Sequence, residues 1–245
     1  MKGIKRIISY GSNQSNAMYS ISVFARLKNL EFIYFTDHIS SFLKQNPNGN
    51  YAYALKNGMQ IYEAKDRVNA AKMALKDGDI LIKEGVAMSE AELGFQTQAN
   101  LIEEFMTKTG TKFDVFLPSG TGTSAAYLAK NLKNTNVFTT PCVGDSAYLA
   151  KMIFELDKHS KVQILNLLKK YHFGDIKKEL FDIYKELKDT TGVEFELLYD
   201  SVGWLSLLAN LDKFTNQILY IHQGGMIGNQ SLLERYERKF KFDML

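Results

Sequence analysis

The chain holds one cysteine, Cys142, so no internal disulfide can form and a reducing compartment is expected. Pro141 precedes it at the end of a predicted strand, and the four histidines offer no recognisable partner spacing, which favours a buried structural thiol over a nucleophile. No apolar run reaches membrane-spanning length, and the first residues, MKGIKRIISYG, lack the apolar core of a signal peptide. The expectation is a cytoplasmic protein with no membrane partner. The basic runs, Lys169-Lys170 and Arg235 to Lys241, are short, lie on helix-like patterns and have no repeating aromatic platform beside them. They read as solvated faces and argue against a nucleic-acid partner. Internal repeats and low-complexity segments are absent as well. What is there is a globular composition, 45% hydrophobic and 23% charged over 245 residues with a net charge of +3. That length can form one large domain or two smaller ones.

Apolar runs and helix-period segments alternate along the whole chain. Arg6 to Tyr10 reads as a strand, followed by the turn Gly11-Ser12-Asn13 and a helix with Met18, Ile21 and Ala25 on one face. Phe32 to Phe35 suits a strand buried on both faces. Asn46 to Asn50 reads as a loop, Tyr51 to Leu55 and Lys65 to Leu75 as helices, and Gln60 to Tyr62 as a short strand between them. Asp77-Gly78-Asp79 marks a composition change before Ile80-Leu81-Ile82, which places a domain boundary near residue 78. The expected division is a small α/β domain over 1–78, itself partial, and a large α/β domain over 79–245. Ser89 and Glu92 have capping-box spacing, and the helix they open is expected to end at Gly110. Further strands are predicted at 137–139, 162–165, 195–198 and 217–221. Further helices are predicted at 146–156, from Ile176 to near Gly192, after Val202 and over 231–240. The alternation implies mostly parallel sheets with helices on both faces, which bind ligands at the carboxyl ends of their strands.

One stretch stands out. Phe113, Val115, Phe116 and Leu117 lead through Pro118 into Ser119-Gly120-Thr121-Gly122-Thr123, and Ala125, Leu128, Ala129 and Leu132 then follow at helical spacing. Strand, small polar turn and helix start together point free backbone N–H groups and the positive end of a helix dipole at an anion. Glycine lets a ligand approach the backbone, and the hydroxyls of Ser119, Thr121 and Thr123 can donate to phosphate oxygens. The turn is neither a Walker loop nor a dinucleotide fingerprint, since Gly-Lys-Ser/Thr and the third glycine of GxGxxG are missing. The residues alone equally allow an ordinary strand-to-helix turn.

Four segments taken in order carry a resemblance. They are Gly11-Ser12-Asn13-Gln14-Ser15-Asn16; Lys83-Glu84-Gly85 with Leu93-Gly94-Phe95; Ser119 to Thr123; and the pair Glu196-Leu197-Leu198-Tyr199 and Ile221-His222-Gln223-Gly224-Gly225. In order and spacing they resemble the 1-aminocyclopropane-1-carboxylate deaminase and D-cysteine desulfhydrase family, over essentially the whole chain. The resemblance implies pyridoxal 5′-phosphate as cofactor. It also implies two mostly parallel open sheets flanked by helices, the tryptophan synthase β-like fold (fold type II of the pyridoxal-phosphate enzymes), and a homodimer as the family default. The implied activity is that of a deaminase, a hydrolase or lyase of amino-acid metabolism that takes a small amino acid to ammonia and a 2-keto acid. No metal is implied.

The resemblance also assigns roles. Ser119, Gly120, Thr121, Gly122 and Thr123 would hold the cofactor phosphate. Asn16 matches the asparagine that bonds the phenolic oxygen, and Gln14 and Ser15 match residues beside the substrate carboxylate. For Asn16 and Ser15 the residues alone also allow helix capping. Tyr199 matches a tyrosine that faces the substrate as nucleophile or proton donor, a role that requires a tuned site for a phenol near pKa ~10; a core tyrosine at a strand end is the alternative. Asp200 stands where the deaminases carry a glutamate beside the pyridine nitrogen and the desulfhydrases carry no acid. It tilts the choice to the deaminase branch, against a solvent-exposed aspartate at a strand end. Gln223 replaces the family's usual threonine or leucine.

The family's Schiff-base lysine has no match. It belongs to a Gly-Asn-Lys motif well upstream of the Gln-Ser-Asn run, and the fourteen residues before Ser15 hold only Lys2 and Lys5, in the wrong context. The chain therefore reads as an amino-terminally shortened member, less stable than a complete one, with apolar surface exposed and little or no turnover. The alternatives are a D-cysteine desulfhydrase, a non-catalytic binder of pyridoxal phosphate or phosphate, and an unrelated α/β phosphate-binding domain.

Overall fold

The computed structural model describes residues 3–167 and 169–241. Lys2 lies outside them. Among the described residues the chain divides into two compact units, Met1–Val86 with Ile227–Glu234, and Ala87–Met226 with Arg235–Leu245. The composition change at residue 78 falls just before the last strand of the first unit.

The first unit runs β1 (Arg6–Tyr10), α1 (Asn16–Leu27), β2 (Glu31–Thr36), α2 (Ser41–Gln45), α3 (Gly49–Lys56), β3 (Met59–Glu63), α4 (Arg67–Met73) and β4 (Asp79–Ile82). Its sheet has the order β3-β2-β1-β4 and every pair is parallel. Successive residues of a strand face opposite sides. Ile7, Phe32 and Tyr34 accordingly pack with Met18, Ile21 and Ala25 of α1, while Ile8 and Ile33 pack with Ala71 of α4. The 46–50 loop is shorter than expected, because α3 already begins at Gly49.

The second unit runs α5 (Glu92–Thr109), β5 (Phe113–Ser119), α6 (Thr123–Asn131), β6 (Val137–Pro141), α7 (Ser146–Leu156), β7 (Gln163–Ile164), α8 (Lys178–Thr191), α9 (Asp200–Ala209) and β8 (Gln217–Tyr220). A last helix, α10 (Ile227–Phe240), is shared between the two units. The sheet order is β7-β6-β5-β8, again all parallel. Val115 and Leu117 pack with Ala99 and Ile102 of α5 and Ala125 and Leu128 of α6, and Phe116 packs on the other face with Leu207 of α9. Each of the Val, Leu, Ile and Phe side chains taken fully out of water contributes ~1.5–3 kcal/mol. This is the expected fold class, two parallel open sheets flanked by helices. None of the described helices is long and apolar enough to cross a membrane.

Two local expectations fail. Residues 195–198 do not form a strand, and the chain turns at 197–199, because Glu196 and Asp200 bond the backbone of this segment to their own side chains. The Ser89/Glu92 capping box does not form either. Ser89 lies in a short 3₁₀ turn and bonds Glu90, and Glu92 is drawn to Lys130 at 2.7 Å. Gly110 does end α5, in the left-handed conformation that glycine tolerates.

Asp114, fully buried on β5, ties the near ends of three strands. It accepts bonds from the backbone N–H groups of Thr215 (2.7 Å) and Asn216 (3.0 Å) and from the side-chain amides of Asn216 and Asn136 (both 2.9 Å). Burial pushes the carboxyl up, but the bonds from Asn216, Thr215 and Asn136 outweigh it and hold the group below its usual range. In Asp114→Asn these four donors and the Thr215 hydroxyl, 3.3 Å from the same carboxylate, converge on a side chain with one carbonyl oxygen. The expected loss is ~1–3 kcal/mol at pH 7 by urea unfolding. A depressed carboxyl contributes stability above its unfolded value of ~3.9 and loses it as pH falls through the folded value, so the two proteins should converge in acid. Equal stability at pH 7 would contradict this account.

Candidate functional site

Two groups of polar residues gather at the carboxyl ends of the two sheets, one in each unit. In the second unit β5 ends at Ser119 and α6 begins at Thr123. Gly122 caps α6 in the left-handed conformation, φ +75°, and has no side chain with which to bond the first N–H groups of the helix. A Cβ at Gly122 would stand 2.6 Å from Ile153 Cγ1 and 3.0 Å from Leu149 Cδ1, so the turn is closed to any larger residue. The Thr121 and Thr123 hydroxyls lie 2.9 Å apart over the turn. Ser119 is buried, with its Oγ 2.7 Å from Thr139 Oγ1.

Tyr199 stands against this turn. A Cβ on Gly120 would lie 3.3 Å from the Tyr199 hydroxyl and 3.7 Å from Val143 Cγ2. The tyrosine ring packs edge-on to Phe173, and its carbonyl oxygen accepts from Cys142 Sγ at 3.7 Å. Burial pushes the Cys142 thiol up, so it stays protonated and serves as packing. Tyr199 caps α9, and the turn before it is locked by reciprocal bonds. The Glu196 carboxylate accepts from the Tyr199 N–H at 2.6 Å, and the Asp200 carboxylate accepts from the Glu196 N–H at 2.9 Å. This lock is why the chain departs from a strand here.

Asp200 is not the exposed strand-end aspartate that the residues alone allowed. It sits in the first turn of α9, 1% exposed, and its other oxygen accepts from the Tyr220 hydroxyl at 2.7 Å. It has no ion pair among the described residues. Burial raises its carboxyl, opposed by the bond from Tyr220. Glu196, 2% exposed, is pushed up to about 8 by burial, with the neighbouring Asp200 charge adding to the rise. On the β8 side, Gln223 Nε2 donates to the Pro118 carbonyl at 2.7 Å and so ties the glycine-rich turn to the end of β5. His222 Nδ1 accepts from the Gly224 N–H, and its Nε2 lies 2.9 Å from the Glu194 carbonyl, which places the ring hydrogen on Nε2.

In the first unit Ser15 caps α1, its Oγ accepting from the Met18 N–H at 3.2 Å, and Asn16 is the first helical residue and not the cap. The Gln14 amide spans the start of α3, with Nε2 on the Asn48 carbonyl at 3.1 Å and Oε1 accepting from the Tyr51 N–H at 3.3 Å. Asn50 Nδ2 donates to the Gln14 carbonyl at 2.9 Å and to Asn16 Oδ1 at 2.6 Å. Asn50 and Tyr220 were not singled out in the sequence. The Gly49-Asn50 pair looked like turn residues, and Tyr220 looked like one more apolar strand residue.

The donor set fits a phosphorylated pyridine. The start of α6, with glycine at its cap position, suits a phosphate. The buried, unpaired Asp200 carboxylate suits a protonated ring nitrogen. The fold is one already seen in solved structures. The chain superposes on an ACC deaminase homologue with a TM-score of 0.78 at 20% identity, over 97% of this chain and 79% of that one. It superposes on a hydrogen sulfide-producing enzyme from Fusobacterium nucleatum with a TM-score of 0.60 at 15% identity, covering 92% and 79%. Against the Escherichia coli diaminopropionate ammonia lyase in its apo form the TM-score is 0.59 at 13% identity, covering 96% and 68%. No protein-family model and no curated protein matches the sequence. At these identities the likeness is one of fold.

The buried acids make stability pH-dependent. A carboxyl whose folded value exceeds its unfolded ~4.3 binds more protons folded than unfolded, so stability declines as pH rises through that window. Glu196→Gln keeps an oxygen for the Tyr199 N–H and removes the titration. Between pH 5 and about 8 the wild type should lose stability relative to this variant, read from urea midpoints across pH. Parallel curves would contradict the assignment.

Proposed function

We propose that this chain is a pyridoxal 5′-phosphate-dependent deaminase acting on a small amino acid, of the 1-aminocyclopropane-1-carboxylate deaminase type. The observation that carries the reading is the hydroxyl of Tyr199 standing against Gly120, within the bare turn at the start of α6. A phenol so placed has a helix dipole and backbone N–H groups beside it, the surroundings a proton-donating tyrosine needs. The likeness in fold to an ACC deaminase homologue supports the choice of reaction class.

The cofactor, when bound, supplies an electron sink for negative charge developing at the substrate carbon. Ser119, Gly120, Thr121, Gly122 and Thr123 would hold its phosphate through backbone amides and hydroxyls. Asp200, oriented by Tyr220 and the Glu196 N–H, would keep the ring nitrogen protonated. Asn16 would donate to the phenolic oxygen. Ser15 at the start of α1 and Gln14 beside it would receive the substrate carboxylate. Tyr199 would hold the proton delivered to the product carbon.

We further propose that Lys5 is not the residue that holds the cofactor's aldehyde carbon. Lys5 immediately precedes β1 while Ser12 to Asn16 follow it, so Lys5 lies at the far end of a five-residue strand, ~17 Å away at the usual rise. The hydrogen sulfide-producing enzyme keeps a D-cysteine desulfhydrase in view, but the acid at position 200 favours the deaminase. A non-catalytic binder of the same cofactor is the remaining reading.

Equilibrium dialysis of the full chain tests the proposal. Pyridoxal 5′-phosphate should bind, pyridoxal without its phosphate should bind at least ~10-fold more weakly, and Gly120→Val should erase the difference. Equal binding of the two ligands, or none, would end it. Ammonia released from 1-aminocyclopropane-1-carboxylate, however slowly, supports the deaminase; sulfide released from D-cysteine alone replaces it with the alternative.

A further inference from the structure

We propose that Asn50 sets the polarity of the Asn16 amide, so that Asn16 presents hydrogen-bond donors and no acceptor to a ligand oxygen. This rests on the reading of Asn16 as a cofactor contact and adds a positioning residue to it.

The argument begins with an acceptor that cannot change. The Gln14 carbonyl only accepts, so the Asn50 atom 2.9 Å from it must be the amide nitrogen. The same nitrogen lies 2.6 Å from the Asn16 side chain. Its two hydrogens are then both used, and the Asn16 atom facing it must be the oxygen. The Asn16 Nδ2 group is left pointing away with two hydrogens and no partner among the described residues. An unassisted asparagine could turn its amide over at little cost; Asn50 removes that freedom. Asn50 is itself held firmly, being 1% exposed in the first turn of α3. Its Oδ1 is buried without a partner among the described residues.

The start of α3 is in turn fixed by Gln14, whose amide spans Asn48 and Tyr51. Gly49 makes this possible. It sits at φ +54°, where a Cβ would come within 2.8 Å of Gln14 Oε1. Gln14, Gly49 and Asn50 thus act in sequence on one amide. The ligand group selected is an anionic or strongly accepting oxygen, such as a phenolate.

Two measurements test this on the full chain. The first needs no ligand and reads amide hydrogen exchange of the two side chains by NMR. The Asn50 amide hydrogens should be protected and those of Asn16 should exchange quickly; protected Asn16 hydrogens would overturn the proposal. The second compares binding of pyridoxal 5′-phosphate with its 3-deoxy analogue, which lacks the phenolic oxygen. Wild type should prefer the natural ligand by ~10-fold, about one charge-assisted bond. Asn50→Asp should lose that preference, because the new carboxylate draws the Asn16 nitrogen inward and turns its oxygen out. Asn50→Asp retaining the preference while Asn16→Asp has lost it would refute the role of Asn50. A wild type with fast-exchanging Asn16 hydrogens that binds both ligands equally would instead refute Asn16 as the cofactor contact.

Discussion

Strand β5 is buried on both faces and paired on both edges, and this fixes the arrangement of the second unit. Val115, Phe116 and Leu117 are fully buried, and β6 and β8 run parallel to it on either side. A parallel neighbour must return to the same end of the sheet through a crossover. The turns that follow the strands therefore collect at one edge. The turn after β5 emerges at the middle of that edge, directly into the start of α6. A glycine-rich turn leading straight into a helix start at this position follows from the topology before any particular ligand is considered.

The chemistry around the turn comes at a cost to stability. Glu196 and Asp200 are both buried carboxyls whose titration is displaced upward by burial, and neither has an ion pair among the described residues. Apolar residues there would avoid the desolvation penalty. The two acids hold each other through backbone bonds, hold the Tyr199 N–H, and hold Tyr220 against α9. Asp114 at the opposite end of β5 makes the contrast. It too is a buried carboxylate, but its donors converge fully and its titration moves down. One acid is a structural tie and the other is left short of a cationic partner.

The alternation of strands and helices was legible because buried parallel strands and one-sided helices leave different periods in the sequence. Phe32–Phe35 and Val115–Leu117 were readable as strands for that reason, and Met18, Ile21 and Ala25 as a buried helix face. The segment 195–198 misled because its apolar residues pack in a turn, and the bonds that make the turn come from side chains with no periodic signature. Ser89 and Glu92 had the right spacing for a capping box, but Lys130, distant in sequence, competes for the glutamate. The turn after Leu117 could be read locally, since strand, glycine turn and helix are contiguous. Asn50 could not. Its partners, Gln14 and Asn16, lie on another segment, and only the fold of the first unit brings them within bonding distance.

The central claim is that the turn from Gly120 to Thr123 grips the phosphate of a pyridine cofactor. A crystal of the chain soaked in pyridoxal 5′-phosphate tests it directly. The account requires phosphate density within hydrogen-bond distance of the backbone amides of this turn, with the pyridine nitrogen on Asp200. Phosphate density elsewhere, or a ring turned away from Asp200, would contradict it.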